Sequence, residues 1–190
     1  MKGYSLGFDL SLTAPAAVAL PHDWRPGDWK SVKFWLLKTK DPKNGADTRG
    51  QYARYIQIVD WAQGIAKETK TPPIYFIEGY GFRKNNAQAS KLMELGGAVR
   101  VRLYEACGMI ATVVSSSSAR EILLATVPQK DQKIAVQLAL FNRGGAPKTW
   151  EENICDAFVV ANFGLTEFGV QALSLATKAE MKAAAAKRKR

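Results

Sequence analysis

Three acidic residues occupy positions where folding is costly unless something neutralises them. Asp9 falls inside an apolar strand-like run, between Phe8 and Leu10. Glu78 ends the uninterrupted apolar run Ile74-Tyr75-Phe76-Ile77 and is followed by Gly79. Asp156 lies among Ile154, Cys155, Ala157, Phe158, Val159 and Val160. Taking an ionised carboxylate out of water costs several kcal/mol unless it is paired or binds a metal. Each residue could pair with a nearby Lys or Arg, or cap an element. If the fold gathers all three, however, they repel one another, and a divalent cation is the natural remedy. Oxygen-only ligands suit Mg²⁺ or Mn²⁺. Glu152 and Asn153 precede Asp156 by four and three residues and share its helical face, so either could complete a metal shell, while Glu151 points elsewhere.

The elements that must position these groups can be read from periodicity. Tyr4 to Ser11 alternates, with Leu6, Phe8 and Leu10 on one face, as a strand does. Ala16–Leu20 and Ser31–Lys38 supply two more strands, and the short links between them favour an antiparallel meander. Asp47–Lys70 has helical spacing, with Tyr52, Tyr55, Ile56, Val59 and Ala62 on one face, and Pro72-Pro73 stops it. Ile74–Ile77 reads as a strand buried on both sides. Asn85–Ala106 is helical, and Gly96-Gly97 in its middle implies close packing on a neighbour. Met109–Val114 is a fifth strand. Ser115–Ser118 offers a serine N-cap to a helix over Ala119–Thr126. Gln129–Phe141 is a further helix, ended by Arg143-Gly144-Gly145. The last helix runs from about Trp150, capped by Thr149. This order predicts an α/β fold with a mixed five-stranded sheet flanked by helices on both faces. The first and fourth strands become central neighbours, and the last helix packs across their ends.

Composition narrows the chemistry. The chain has 190 residues with 47% hydrophobic and 23% charged residues, enough for one domain with a substantial core. The expected division is one domain over residues 1–173 and a basic tail over 174–190. That tail carries Lys178, Lys182, Lys187, Arg188, Lys189 and Arg190 against Glu180 alone, and the chain as a whole carries a formal charge of +10. A basic body with a basic tail suggests a polyanionic partner, though the tail also reads as a plain solvated extension. The single histidine, His22, sits between Pro21 and Asp23 in what reads as a solvated turn. Histidine-based hydrolysis and a structural zinc site are therefore disfavoured. Cys107 and Cys155 are far apart and read as buried free thiols. No apolar run spans a membrane, and the first residues lack a signal-peptide pattern, so the expected compartment is the cytoplasm.

The same positions resemble a known family, the RuvC-type Holliday-junction resolvases, within the RNase H-like fold. The resemblance rests on Gly7-Phe8-Asp9-Leu10-Ser11, on Ile77-Glu78, on the helix Asn86-Ala87-Gln88-Ala89-Ser90-Lys91-Leu92-Met93-Glu94-Leu95-Gly96-Gly97, and on Asn153-Ile154-Cys155-Asp156-Ala157. It covers roughly residues 4 to 165. It implies that Asp9, Glu78 and Asp156 are metal ligands and catalytic residues. The family places an acidic residue or histidine three positions before the final aspartate; this chain has Asn153 there, which leaves the fourth ligand open between Glu152 and Asn153.

The resemblance further implies a homodimer that binds four-way DNA junctions and nicks two strands of like polarity. It implies hydrolysis by two metal ions and no small-molecule cofactor. Lys130 and Lys133 match lysines that assist the chemistry. Tyr80 or Phe82 matches an aromatic residue that wedges against bases, with Arg83 and Lys84 beside it for phosphates. Arg100, on the following helix, is a further candidate phosphate contact. Three alternatives stand beside this reading. One is a nuclease of the same fold for flaps, forks or RNA–DNA hybrids. Another is an inactive junction-binding module. The third is an actin-like phosphotransferase, which needs a second domain that 190 residues do not accommodate.

Overall fold

The computed structural model describes residues 3–40, 48–69, 74–79, 87–125, 132–167 and 169–188. The first strand, β1 (Tyr4–Asp9), is the axis of the molecule and presents two chemically different faces. Leu6 and Phe8, with Leu10 just beyond the strand, enter one apolar core. Ser5, Gly7 and Asp9 alternate with them and face the other side. β1 pairs antiparallel with β2 (Ala16–Pro21), which pairs antiparallel with β3 (Lys33–Leu36). On its other edge β1 runs parallel to β4 (Ile74–Gly79), which runs parallel to β5 (Thr112–Ser115). The sheet order is β3-β2-β1-β4-β5. This is the mixed five-stranded sheet with β1 and β4 as central neighbours that the pattern predicts.

Helices cover both faces. α1 (Thr48–Glu68) and α2 (Ala87–Cys107) pack on each other and over Leu6, Phe8, Ala17, Ala19 and Ile77. α3 (Ser116–Leu124), α4 (Gln132–Ala139) and α5 (Glu152–Glu167) cover the opposite face. There Phe158 packs edge-on to Trp24 and is tilted against Trp29 and Trp150. Burying a side chain of this size contributes about 1.5–3 kcal/mol. α5 lies directly across β1. A Cβ on Gly7 would stand 2.3 Å from the Ala161 amide nitrogen and 2.4 Å from the Ala157 carbonyl oxygen. Beside this approach, Ser5 Oγ donates a 2.6 Å hydrogen bond to the Ala161 carbonyl. Small residues on one face of β1 thus let the α5 backbone reach the sheet.

Several local expectations are corrected. Tyr52 and Ile56 do not join the buried face of α1; the buried set is Arg54, Tyr55, Ile58, Val59, Ala62, Ile65 and Ala66, and Ile56 is 60% exposed. Gly97 meets no neighbour, so close packing does not explain it, although Gly96 is buried. α3 starts earlier than expected, because Ser115 is the cap and its side chain accepts from the Ser118 amide. β5 starts later, at Thr112, after α2 ends and Gly108 turns the chain at φ 69°. α4 passes into a π-turn, Leu140–Gly144, that closes at Gly145 with φ 71°. α5 begins at Glu152 rather than Trp150, and Thr149 does not cap it; the Ile154 and Cys155 amides both donate to the Glu151 carbonyl. His22 is half-buried against Gly3, at the end of β1 opposite Asp9, which removes it from the carboxylate chemistry. Both cysteines are free thiols; Cys155 is buried, and Cys107 is half-buried with its thiol donating to the Leu103 carbonyl.

Among the described residues no helix is long and apolar enough to cross a membrane. The tail forms α6 (Lys178–Arg188). Its start is fixed by a reciprocal cap, in which Thr177 N donates to Glu180 and the Glu180 amide donates to Thr177 Oγ1. It is tied to the body by a 3.0 Å Arg143–Glu180 ion pair.

Candidate metal centre

Asp9 closes β1 on the face occupied by α5, and Phe8 is in register with Ile77 on β4, which sets Asp9 beside Glu78. α5 crosses the same strand ends and supplies Asp156. Oxygen atoms of Asp9, Glu78 and Asp156 all lie within 4.8 Å of one another. Asp9 is 6% and Asp156 2% exposed, so neither is relieved by solvent. Burial, and next the charges of Glu78 and Asp156, push the Asp9 carboxyl well above the usual range, with Lys133 pulling weakly the other way. A site that strains to ionise in this way gains by taking up a cation.

Two basic residues reach the cluster. Arg120, on α3, places Nη2 3.2 Å from Asp156 Oδ1 and 3.4 Å from Glu78 Oε1. Lys133, at the start of α4, places Nζ 2.9 Å from Glu152 Oε1 and 3.0 Å from Asp156 Oδ2. Burial alone would push the Lys133 ammonium down, but Asp156, Glu152 and Asp9 outweigh it and hold Lys133 charged above the ordinary lysine range. Despite the nearby ammonium, Asp156 Oδ2 accepts no well-directed hydrogen bond among the described residues. The contact at 3.0 Å is an ion pair, and it is all that faces this oxygen among the described residues. That oxygen, with the all-oxygen character of the cluster, fits a hard divalent cation. Ser116, in the first turn of α3, donates its hydroxyl to Glu78 and fixes that side chain.

The other expected residues are placed as follows. Glu152 is half-exposed and held by Lys133, one cation away from the cluster. Asn153 donates its amide to the Ala14 carbonyl in the turn between β1 and β2, so it serves as an anchor of α5 on that turn. Glu151 points away, to Lys38. Arg100 is exposed on α2. It lies roughly 20 Å along the helix from Ala87, where α2 begins. Tyr80, Phe82, Arg83, Lys84 and Lys130 lie outside the described residues. Cys155, next to Asp156, is not a nucleophile: burial and the Asp156 and Glu152 charges push its thiol up to about 12.

Sequence reasoning missed Arg120. It is buried together with Ala119, Leu123 and Leu124. The signal was present in the spacing, because Arg120 stands four residues before Leu124 and shares its inward stripe. Ser116 was seen only as part of a capping run.

Comparison with known proteins agrees with this architecture. No protein-family model matches the chain, and no relative emerges among curated proteins. Solved structures do match. Thermus thermophilus RuvC is 16% identical, with a TM-score of 0.61 over 88% of this chain and 97% of that one. The T. thermophilus RuvC in complex with Holliday junction substrate is 15% identical, with a TM-score of 0.63 over 90% and 98%. The protein therefore has a RuvC-like, RNase H-like fold, with the acidic residues of the sequence resemblance drawn together at the ends of its central strands.

Proposed function

We propose that the protein is a metal-dependent endonuclease that cuts branched DNA, with four-way junctions as the first substrate. The observation that carries this reading is the convergence of Asp9, Glu78 and Asp156 from β1, β4 and α5 into one cluster whose oxygens lie within 4.8 Å of one another. The RuvC-like fold supports it, since a neighbour of that fold is seen with a Holliday junction substrate. The formal charge of +10 suits a polyanion. Asp9, Glu78 and Asp156 would hold Mg²⁺ or Mn²⁺, two ions if the resemblance holds in full. Bound divalent ions supply the Lewis acidity for phosphodiester hydrolysis. The chain's own contribution is geometric. β1 and β4 fix two carboxylates side by side, and α5 is pressed onto them through Gly7. Lys133 offers an ammonium beside Asp156, where a scissile phosphate would develop negative charge. Tyr80 or Phe82, with Arg83 and Lys84, follows Glu78 in sequence and would read the branch point; Lys130 would join Lys133.

The test is cleavage of a labelled four-way junction beside a linear duplex of the same sequence. Paired, symmetric nicks on the junction alone are the expected result. Equal cutting of both would leave a nuclease without junction selectivity.

A homodimer follows from the same reading. Tyr52 and Ile56 on α1 and Val101 on α2 are more than half exposed and line an open groove of about 470 Å³. Such apolar positions on the outer layer suit a self-complementary interface. A protein carrying both Ile56→Glu and Val101→Glu should sediment as a monomer, where the unaltered protein sediments as a dimer. A dimer persisting in the double variant would place the interface elsewhere.

The basic tail is proposed as a contact for phosphates without regard to DNA shape. Deleting residues 178–190 should weaken binding to junction and duplex alike. It should also reduce the slope of log affinity against log salt by up to about five, at roughly 0.9 for each phosphate the tail neutralises. Selective loss of junction binding would instead make the tail a reader of structure.

A further inference from the structure

The metal-centre reading leaves one feature unexplained: a guanidinium inside the carboxylate cluster. Arg120 is 7% exposed, and its Nη2 bridges Glu78 and Asp156, two of the three carboxylates that would share the ions. It therefore stands where a cation bridging those two residues would stand. Its position is built in. α3 begins directly after β5, Ser115 on β5 is in register with Gly79, and Ser115 caps the helix. Arg120 follows one turn later with its backbone fixed between Ala119 and Leu123, both fully buried.

Charge balance points the same way. Among the described residues, Asp9, Glu78, Asp156 and Glu152 bring four negative charges and Arg120 and Lys133 bring two positive ones. One divalent ion neutralises that remainder. A second would overcharge a largely buried site unless a DNA phosphate entered with it. Asp156 divides accordingly. Its Oδ1 accepts from the buried Arg120, while its Oδ2 is paired only with the half-exposed Lys133 ammonium at 3.0 Å, so Oδ2 is the oxygen an incoming ion would take.

We propose that Arg120 is a resident cation that fills the Glu78–Asp156 edge of the site, so that the DNA-free protein takes up one divalent ion and not two. This rests on the metal-centre reading above. Arg120 acts through Glu78 and Asp156 and is a positioning residue, not a catalytic one. The role requires a permanent charge on a nitrogen that reaches both carboxylates, which Arg120 Nη2 supplies.

The experiment counts bound Mn²⁺ by electron paramagnetic resonance of the free ion, without DNA, in the unaltered protein, in Arg120→Gln and in Asp9→Asn. The expected counts are one for the unaltered protein and two for Arg120→Gln, with the single ion lost or much weakened in Asp9→Asn. Arg120→Gln leaves buried carboxylates without their partner, so it is prepared and held in Mn²⁺ and its fold is checked by circular dichroism. If it does not fold, the count for the unaltered protein still decides, because two ions there overturn the proposal. One ion in both the unaltered protein and Arg120→Gln also overturns it, since Arg120 then excludes nothing. No ion in either protein marks a different failure, that of the metal-centre reading itself.

Discussion

Asp9→Asn will bind a four-way junction as the unaltered protein does and cut it roughly 10⁴-fold more slowly in Mg²⁺, the scale of loss when a member of a catalytic unit is removed. The exchange keeps the shape of the side chain and removes one charge and one strong ligand. The fold should not suffer, because Asp9 in the metal-free protein is a burden. Its carboxyl is held well above the usual range by burial and by Glu78 and Asp156. A group whose pKa is raised on folding contributes stability that is full below its unfolded value, about 3.9 for aspartate. That contribution is lost as pH rises through the folded value. The metal-free protein therefore loses stability from Asp9 on going from acid to neutral pH, and Asp9→Asn does not. At neutral pH without metal the variant should melt higher. For a chain of this size each kcal/mol moves Tm by roughly 2–4 °C. Adding Mn²⁺ should raise Tm for the unaltered protein and leave the variant nearly unmoved. Normal cleavage by Asp9→Asn, or a Tm unchanged by metal in both proteins, would remove Asp9 from the site.

Gly7→Ala should be strongly damaging for a single added methyl. The added carbon would lie 2.3 Å from one α5 backbone atom and 2.4 Å from another, and backbone atoms cannot turn aside as a side-chain tip can. Overpacking of this kind costs about 1–3 kcal/mol, and a clash with helix backbone belongs at the upper end or above. A fall in Tm of roughly 6–12 °C is expected. The consequence for function is separate. Lifting α5 from β1 moves Asp156 away from Asp9 and Glu78, so metal uptake should weaken even where the protein stays folded. Thermal melting with and without Mn²⁺ reads both effects. A variant of near-normal stability and undiminished metal response would mean that α5 does not depend on the small face of β1.

The legible part of the site was the part written in contradictions. Asp9, Glu78 and Asp156 stand in apolar runs, and a charge there demands a partner or a metal whatever the fold. The central place of β4 beside β1 was also legible, because the apolar run before Glu78 has no polar face and reads as a strand buried on both sides. Arg120 was not legible in the same way. Arginine on a short amphipathic helix is ordinarily solvent-facing, and only its spacing from Leu124 betrays the inward side. Asn153 misled for the opposite reason. It occupies the motif position of a ligand, but the turn after β1 offers the Ala14 carbonyl, and a neutral amide satisfies it. On α1, Tyr52 and Ile56 fit the period of the buried stripe. They stay exposed because α2 covers only part of that face, and periodicity records which residues share a side but not how far a neighbour reaches.

The most direct test of the metal centre is anomalous diffraction from a crystal soaked in Mn²⁺. A peak is expected among the carboxylates of Asp9, Glu78 and Asp156, within ligand distance of their oxygens. A well-diffracting crystal in millimolar Mn²⁺ with no peak between those side chains, and Arg120 and Lys133 alone neutralising them, would contradict the claim that this cluster is a metal centre.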